Sequence, residues 1–380
     1  MKEFITKDPD NSPEDFLKLN REIINGTANG KVLWQPRIDC WYDDRIFTHG
    51  KLSGQYEGMS RMELYRELGC SARLYEYNNC LERFEIEPVM RRSEKLSQLH
   101  TRHYIETPLG TLTYIESRNK SNGGSYKSEW MVKSEKDIRK LIWLENNTHW
   151  KFNRENWILN NTLYKNLGLP CLFIQRINIQ HAIIDTFGYE CTVEWLYDNP
   201  KIMEEYFEAS ENSAMRSINA LALSPFEWIN FGDNIHGRLI TNEWFEKYIL
   251  PAYHRRCETL KRAGKFTFAH WDGDCAPILK YAKESSLDAI EAISPLPQGD
   301  VTLEEIKEAL GDEVFLIDGI PAILFDEIYP IQQLEAMVEK LIDLFAPKLI
   351  LGISDEMSST GDIERIRFVG EIVDKYNASL

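Results

Sequence analysis

The sequence has no stretch that would hold the chain in a membrane. A membrane-spanning helix needs roughly 20 consecutive apolar residues, and every apolar run in this 380-residue chain is shorter. Residues 1–13 lack the basic and apolar regions that mark a secretory signal peptide. We therefore expect a cytoplasmic protein with no membrane partner.

Cysteine and positive charge are also in short supply. The seven cysteines form no Cys-x-x-Cys pair and no regular framework, so we expect them to remain thiols in a reducing cytosol. Lysine and arginine number 44 against 60 acidic residues, which leaves a formal net charge of −16. A field of that sign repels phosphate backbones, which argues against a nucleic-acid partner.

A glycine-rich dinucleotide loop is missing as well, which weighs against an open doubly wound sheet. Short apolar runs do alternate with amphipathic segments, which is the pattern of parallel strands linked by helices. The predicted strands are residues 31–35, 171–175, 228–231, 266–270, 289–293, 314–317 and 349–352, with an eighth near 322–325. We predict an α/β fold of the (β/α)8 TIM-barrel type, forming a single domain over residues 1–380.

Residues 40–135 interrupt this regularity and are rich in tyrosine, tryptophan and arginine. Residues 100–115 partly alternate polar and apolar side chains around a Pro-Leu-Gly turn, which predicts a β-hairpin with residues 128–132 as a neighbouring strand. We interpret the whole region as an inserted N-terminal lid over one end of the barrel. Its aromatic residues could line a pocket for a planar ligand or could simply pack the lid.

The most informative polar cluster is FAHWDGDC, which follows the predicted strand 266–270. Active sites of (β/α)8 barrels form at the carboxyl ends of the strands. His270 and Asp272 are two residues apart, so in an extended segment both point to one side and could bind one metal ion. Asp355 or Glu356, after the last strand, could complete the ligand set. Alternatively, His270 is a neutral hydrogen-bonding residue and the aspartates cap the next helix.

Polar residues after other strands provide further candidates. In the segment NFGDNIHG, Asp233 could act as a general acid or base or accept a hydrogen bond from a substrate nitrogen. It could equally be a loop aspartate that bonds its own backbone. His236, in the same segment, is a candidate for substrate binding, with a structural role as the alternative. Arg37, Arg176 and Asn178 follow the first two strands and are also substrate-binding candidates.

The order of these motifs resembles the uroporphyrinogen-decarboxylase superfamily. The resemblance is carried by residues 226–275, with FGDN and FTFAHWDGD, by residues 288–320 and by residues 349–376. The segment TPLGTLTYI, residues 107–115, is similar to the hairpin of methyltransferase-like members. The resemblance covers residues 140–380 well and the first third weakly, and it implies the same barrel fold.

Within the superfamily, the chain resembles the methyltransferase branch more than the true decarboxylases. Decarboxylases carry an arginine-rich block after the first strand, which binds the carboxylates of the porphyrinogen. The corresponding stretch here is WQPRIDCWYDDR, in which Arg37 and Arg45 are the basic residues. Asp39, Asp43 and Asp44 would repel a polyacid. This charge pattern argues against uroporphyrinogen as the substrate.

The resemblance to the methyltransferase branch also implies cofactors and partners. Its enzymes move a methyl group between a small molecule and a cobamide carried by a partner corrinoid protein, and a homodimer is consistent with the superfamily. Some members bind zinc through His-x-Cys and a later cysteine. His270 matches that histidine, Asp272 stands in place of the first cysteine, and Glu356 lies near the second. The resemblance thus implies zinc bound by His270, Asp272 and Glu356.

An oxygen and nitrogen ligand set makes zinc a stronger Lewis acid, which suits an ether or amine leaving group. We therefore expect methyl transfer from an O-methyl or N-methyl donor to a cobamide, with Asp233 and His270 as the catalytic residues. Two alternatives stay open. One is a metal-free decarboxylase of a smaller carboxylated substrate, which would use Arg37, Arg176 and Asp233. The other is a non-catalytic protein that binds a tetrapyrrole or corrinoid.

Overall fold

The computed structural model describes residues 15–120 and 123–380. The strands within these ranges are β1 (Leu33–Trp34), β2 (Leu81–Glu85), β3 (Met90–Lys95), β4 (His100–Thr107), β5 (Gly110–Arg118), β6 (Ser125–Glu129), β7 (Thr148–Phe152), β8 (Trp228–Asn230), β9 (Phe266–His270), β10 (Ala289–Glu291), β11 (Phe315–Pro321) and β12 (Leu349–Ser354). The helices are α1 (Phe16–Ile24), α2 (Asp39–His49), α3 (Arg61–Leu68), α4 (Glu135–Asn147), α5 (Arg154–Tyr164), α6 (Asn178–His181), α7 (Tyr189–Asp198), α8 (Pro200–Ala222), α9 (Asn242–Trp244), α10 (Leu250–Arg262), α11 (Leu303–Leu310), α12 (Ile331–Phe345) and α13 (Glu364–Ala378).

A curled parallel sheet forms the core of the molecule. Its six strands lie in the order β1-β12-β11-β10-β9-β8, and every neighbouring pair is parallel. The residues of β8, β10, β11 and β12 are all buried, which explains their nearly continuous apolar sequences. Helices separate the successive strands and cover the outside of the sheet. The predicted (β/α)8-type α/β fold is therefore confirmed.

Two short extended segments, residues 71–74 and 170–174, lie between β1 and β8 and close the ring. They form isolated bridges rather than full strands, and they link β1 to β8 through backbone hydrogen bonds. The bonds run from Ser71 N to Trp34 O (3.0 Å), from Cys171 N to Leu74 O (3.3 Å) and from Ile174 N to Asn230 O (3.0 Å). Residues 71–74 thus belong to the barrel wall, although they lie inside the region interpreted from the sequence as a lid.

The eighth strand predicted near residues 322–325 was wrong. Those residues form a 3-10 helix directly after β11. A parallel neighbour of β11 would need a crossover connection of about a dozen residues or more, and no such connection separates the two segments. The remaining member of the ring is instead residues 71–74, between β1 and residues 170–174. The apolar sequence of the short helix reflects the burial of Ala322, Leu324 and Phe325.

A four-stranded antiparallel sheet, β3-β4-β5-β6, interrupts the barrel after the second ring position. The predicted hairpin is β4 and β5, joined where Thr107 pairs with Gly110. Its neighbouring strand β6 begins at Ser125, three residues before the predicted position, and pairs with β5 from Ile115 to Arg118. The outer strand β3 was not predicted, because all six of its residues are exposed and show no apolar alternation.

Helix starts follow local capping chemistry. The α1 helix begins after Asp15, whose carboxylate accepts a hydrogen bond from Lys18 N (3.0 Å). The predicted cap Ser12 and the following Pro13 lie outside the described residues. At the start of α4, the Ser134 hydroxyl donates to the Asp137 carboxylate (2.9 Å) instead of capping the backbone. Among the described residues, no helix is long and apolar enough to cross a membrane.

Candidate active site

A small cavity opens at the carboxyl ends of the barrel strands. Its volume is about 190 Å³. The lining residues are Arg37, Phe173, Ile174, Arg176, Gly232, Asn234, His270 and Asp355. These residues lie at the carboxyl ends of β1, β8, β9 and β12 and of the extended segment 170–174. This is the end at which (β/α)8 barrels form their active sites.

His270 is the last residue of β9 and lies at the inner end of this cavity, with 2% of its surface exposed. Its Nδ1 atom lies 2.8 Å from Oε1 of Glu291, the last residue of β10. Since Glu291 is buried and ionised, Nδ1 carries the proton and donates it. The Nε2 atom is buried and has no hydrogen-bond partner among the described residues. The imidazole is therefore oriented with one ring nitrogen free to bind a ligand.

Two carboxylates face this free nitrogen. Nε2 of His270 is 3.7 Å from Asp272 Oδ2 and 3.4 Å from Asp355 Oδ1. The ligand atoms of the three residues all lie within 4.8 Å of one another. Histidine nitrogen and carboxylate oxygen are ordinary ligands of zinc and of other divalent cations. The geometry thus brings together His270 and Asp272 as predicted, with Asp355 as the third member.

The structure does not bring Glu356 to this cluster. Its Oε1 atom forms an ion pair with Arg37 Nη2 (3.0 Å), and its Oε2 atom accepts a hydrogen bond from Cys40 N (3.3 Å). Asp355, by contrast, has its Oδ1 atom 3.4 Å from Nε2 of His270. Of the two acids predicted as possible ligands, Asp355 faces His270, and the prediction of Glu356 is corrected accordingly.

The charges around His270 favour a cation at this position. Burial by itself would lower the pKa of His270, but the facing carboxylate of Asp272, the hydrogen bond to Glu291 and the charges of Glu291 and Asp355 raise it to about 10. The acidic surroundings thus stabilise a positive charge, either as a proton on Nε2 or as a metal ion in its place. A metal ion and this proton compete for the same lone pair.

A buried polar network supports His270 from inside the barrel. Glu291, which holds the imidazole, is itself held by Arg73, whose side chain is 1% exposed. The network consists of bonds from Arg73 Nη1 to Glu291 Oε2 (2.5 Å), Arg73 Nη2 to Asp318 Oδ1 (2.7 Å), Arg73 Nε to Gln35 Oε1 (3.1 Å) and Asn230 Nδ2 to Glu291 Oε1 (2.6 Å). Arg73 was not among the site residues predicted from the sequence. A signal existed, since Arg73 is a lone charge between the apolar residues Ala72 and Leu74.

Arg37 lines the cavity and is engaged by two acids. Its Nη1 atom pairs with Asp355 and its Nη2 atom with Glu356. Their charges raise the pKa of Arg37 even though burial opposes this. Arg37 thus fixes the carboxylate that faces His270, in addition to the substrate-binding role predicted for it.

Arg176 also lines the cavity. Its Nη1 atom donates to Asp185 (3.1 Å) and its Nη2 atom to Asn234 (3.2 Å). Asn234 in turn donates to Asp272 Oδ2 (3.5 Å). Asp185 also contacts His181 Nδ1 (2.9 Å). Arg176 is therefore placed as predicted, at the cavity and two hydrogen bonds away from the His270 cluster.

The other two substrate-binding candidates do not line this cavity. Asn178 donates from Nδ2 to Tyr248 O (3.4 Å) and borders a separate groove of about 410 Å³. His236 is half-buried beside Gly273, and its Nδ1 atom accepts a hydrogen bond from Arg238 N (3.2 Å). Its contacts are those of a residue that shapes the loop after β8.

Asp233 is buried away from the cavity surface, whereas its neighbours Gly232 and Asn234 line it. Oδ1 of Asp233 accepts a hydrogen bond from Ile177 N (2.8 Å) and Oδ2 accepts one from Tyr253 Oη (2.9 Å). Burial raises the pKa of Asp233 to about 6, against the opposing charge of Arg256. These contacts are those of a carboxylate that joins distant segments, and they differ from the bond to its own backbone that was the alternative expected from the sequence.

The protein is thus a barrel in which three residues that could bind a metal ion lie at the carboxyl ends of the strands. The sequence model of the uroporphyrinogen decarboxylase (URO-D) family matches residues 183–376, slightly more than half of the chain. The chain belongs to this family. The match begins after residues 170–174 and includes β8 to β12 and the three residues of the His270 cluster.

Two solved structures are similar to this chain at low sequence identity. A methyltransferase from Methanosarcina mazei has a TM-score of 0.51 at 9% identity, over 69% of this chain and 75% of its own. A Listeria monocytogenes structure assigned to vitamin-B12-independent methionine synthase has a TM-score of 0.41 at 12% identity, over 91% of this chain and 96% of its own. No curated protein matches the chain. At 9% identity, the similarity to the Methanosarcina mazei structure shows a shared fold.

Proposed function

We propose that this protein is a methyltransferase that moves a methyl group from an O-methyl or N-methyl donor to a cobamide carried by a partner corrinoid protein, with the help of a divalent cation. The observation that carries the proposal is the convergence of His270, Asp272 and Asp355 at the mouth of the barrel. Membership of the URO-D family and the shared fold with a methanogen methyltransferase support it.

The residues present fit a zinc ion. Nε2 of His270 is a buried nitrogen without a partner among the described residues, and it faces two carboxylates. The Nδ1 contact with Glu291 is the carboxylate–histidine arrangement that typically orients a metal-binding imidazole. His270, Asp272 and Asp355 would hold the ion. A zinc ion with such ligands supplies Lewis acidity, which weakens the bond between the methyl group and its oxygen or nitrogen.

The chain's own residues prepare the donor for this reaction. Arg37 holds Asp355 in place, while Asn234 links Asp272 to Arg176. The ring of Phe173 forms an apolar wall, because it stacks on Tyr75 with ring centroids 3.8 Å apart. A donor in this cavity is thus shielded from most water on one side and faces the charged cluster on the other. The open mouth leaves a path by which an acceptor on a partner protein can reach the methyl group.

Metal analysis tests the proposal most directly. Purified wild-type protein is expected to contain about one zinc per chain, and His270→Ala is expected to lose it. His49→Ala is a matched control, since His49 is an exposed histidine at the end of α2. Methyl transfer from methoxy and N-methyl compounds to cob(I)alamin, followed by visible absorbance, then tests the reaction. If neither His270→Ala nor Asp272→Ala lowers metal content or methyl transfer, the proposal is wrong.

A metal-free decarboxylase is the second candidate, and one observation favours it. Two guanidinium groups, those of Arg37 and Arg176, line the cavity and could bind a carboxylated substrate. Asp233, the third residue of that hypothesis, does not line the cavity. Decarboxylation that survives complete removal of metal by a chelator would favour this candidate, whereas methylation of cob(I)alamin that is lost on chelation and restored by zinc would favour methyl transfer.

A further inference from the structure

The outer strand of the antiparallel sheet, β3, has one unpaired edge. It pairs with β4 on one side, and no strand among the described residues pairs with it on the other. Its residues alternate between the two faces of the sheet, and all six are exposed, so neither face of the strand is covered. The open N–H and C=O groups of such an edge are a template for a strand from another molecule.

The hairpin between β3 and β4 determines which backbone groups face the open edge. Leu96 N donates to His100 O (2.9 Å) directly after β3, so Leu96 directs its backbone groups toward β4. In an antiparallel sheet, residues that bond one neighbouring strand alternate with residues that face the opposite side. Counting back from Leu96, the residues whose N–H and C=O groups face the open edge are Arg91, Ser93 and Lys95.

A second copy of β3 is a strand whose charges complement this edge. Two identical antiparallel strands are related by a two-fold axis, and their outward groups can bond each other when the axis passes through Arg92, Ser93 or Glu94. With Arg92 or Glu94 on the axis, two like charges lie directly opposite each other, which is unfavourable. With Ser93 on the axis, Arg92 of each subunit lies opposite Glu94 of the partner subunit. This register therefore pairs opposite charges twice.

The same register brings exposed apolar side chains together. Met90, which is 62% exposed, lies on the face that carries these charges and is placed opposite Leu96 of the partner subunit, a residue that is 42% exposed in the single chain. Pairing the two removes apolar surface from water, which favours association. On the other face, Arg91 approaches Lys95 of the partner subunit. Arg91 already pairs with Glu85 (2.5 Å), which reduces this repulsion.

The two charged residues of the register are already held in place by a tyrosine of β4. Glu94 accepts a hydrogen bond from Tyr104 Oη (2.6 Å), and the guanidinium of Arg92 lies 3.5 Å from the centroid of the same ring. Nε of Arg92 also donates to Glu106 (2.9 Å). Side chains that are ordered before association lose less conformational entropy when they bind. The charged face of β3 is thus organised in the single chain.

We propose that two copies of this chain associate through β3, antiparallel and with the two-fold axis at Ser93, to form a continuous eight-stranded sheet. The contact is isologous, so it closes as a dimer and does not extend into a fibre. The six residues that each copy contributes are fewer than the roughly 20–30 of a standard interface. The dimer is therefore expected to be reversible. This inference does not depend on the methyl transfer proposed above.

Sedimentation velocity over a range of protein concentrations tests the contact. The wild type is expected to shift from monomer to dimer as its concentration rises. Arg92→Glu and Glu94→Arg are each expected to raise the dissociation constant about tenfold or more, because like charges then face each other at two positions. Arg139→Glu is the control with the same change of charge, since Arg139 is an exposed arginine on α4. It is expected to associate like the wild type.

A mixture of the two single variants separates a broken contact from a damaged sheet. Each variant alone places like charges opposite each other. In a mixed dimer, Arg92→Glu of one subunit lies opposite Glu94→Arg of the other, and the remaining native pair is again of opposite sign. The mixture is therefore expected to form a heterodimer with nearly the affinity of the wild type. A variant with a disrupted sheet would not regain association in this way.

Three results would overturn the inference. A wild type that stays monomeric at every concentration would show that the edge does not pair with itself. A dimer that both single variants leave unchanged would show that the contact lies on another surface. Variants that lose association and do not regain it when mixed would show that Arg92 and Glu94 do not face each other across the axis.

Discussion

Glu291 lies 2.8 Å from Nδ1 of His270, and this contact directs the opposite ring nitrogen toward Asp272 and Asp355. Both residues end neighbouring strands, β9 and β10, and they pair in the sheet. The orientation of the imidazole is thus set by the rigid wall of the barrel and not by a loop. Arg73 and Asn230 hold the carboxylate of Glu291 in turn.

The first prediction concerns this contact. Glu291→Gln is expected to weaken zinc binding by about 10- to 100-fold, the usual effect of removing an outer-shell partner of a metal-binding histidine. The amide cannot accept the Nδ1 proton and satisfy Arg73 equally well. Zinc dissociation constants, measured by competition with a chromophoric chelator, check the prediction.

Asp318→Asn is the matched control for Glu291→Gln. Asp318 is as buried as Glu291 and also pairs with Arg73, but it makes no hydrogen bond to His270. Both variants therefore disturb the charge balance around Arg73, while one of them leaves the imidazole held. Equal loss of zinc affinity in the two variants would mean that the network acts on stability in general and that Glu291 has no positioning role.

The second prediction separates the two acids after β12. Asp355→Asn is expected to lower zinc affinity by more than about tenfold, because removing a direct ligand costs at least as much as removing its outer-shell partner. Glu356→Gln is expected to leave zinc affinity nearly unchanged. Both acids pair with Arg37, so the loss of one Arg37 contact is common to both variants. The reverse order of the two affinities would restore Glu356 as the ligand.

The sequence could indicate His270 and Asp272 because a spacing of two residues in a strand has one geometric outcome. The sequence could not indicate which of Asp355 and Glu356 faces His270. That depends on contacts with Arg37 and Cys40, which lie far from both acids in the sequence. Asp233 was predicted to be catalytic from its position after a strand. The partners that bury its carboxylate, Ile177 and Tyr253, lie far from it in sequence. No local pattern reveals such partners.

The strands of the barrel were likewise predictable only in part. Apolar strands such as β11 and β12 are evident in the sequence, since they are buried on both sides. Residues 71–74 were not recognised, because this ring position is only four residues long and carries Ser71 and Arg73, which bond inside the barrel. A short strand whose polar residues belong to a buried network has no apolar periodicity from which it could be predicted.

The third prediction concerns the pH dependence of stability. His181 lies between Asp185 (2.9 Å) and Glu145 (3.4 Å). Burial by itself would lower the pKa of His181, but these two carboxylates raise it to about 9. A histidine with a raised pKa stabilises the fold fully below its unfolded value near 6.5, and this stabilisation is lost as the pH rises through 9. The shift corresponds to an upper limit of about 3 kcal/mol.

Urea unfolding at pH 6.5 and pH 9.5 checks this linkage. The wild type is expected to lose up to about 3 kcal/mol of unfolding free energy between these values, relative to His181→Gln. The variant has no proton to release at this position, so its stability should change less. His49→Gln, at an exposed histidine, should behave like the wild type. A parallel pH dependence in wild type and His181→Gln would show that His181 is not charged in the folded protein.

The fourth prediction concerns Gly232, which packs against the cavity wall. Gly232 has φ +60°, and a Cβ atom on it would lie 2.6 Å from Cδ1 of Phe173. Gly264 has φ +69° and no atom within 4 Å of such a Cβ. An alanine in the left-handed region costs about 1–2 kcal/mol of backbone energy at either position. Gly232→Ala must also displace the ring of Phe173, whereas Gly264→Ala displaces nothing.

Gly232→Ala is therefore expected to be less stable than Gly264→Ala by about 1–3 kcal/mol, the usual cost of overpacking, and to bind small ligands in the cavity more weakly. Unfolding free energies in urea measure the first effect, and calorimetric titration with a small methoxy compound measures the second. Because Phe173 also stacks on Tyr75, its ring can move only toward the cavity or by breaking that stack. Equal stability of the two variants would mean that the ring adapts freely, and Phe173 would then be no fixed wall for a donor.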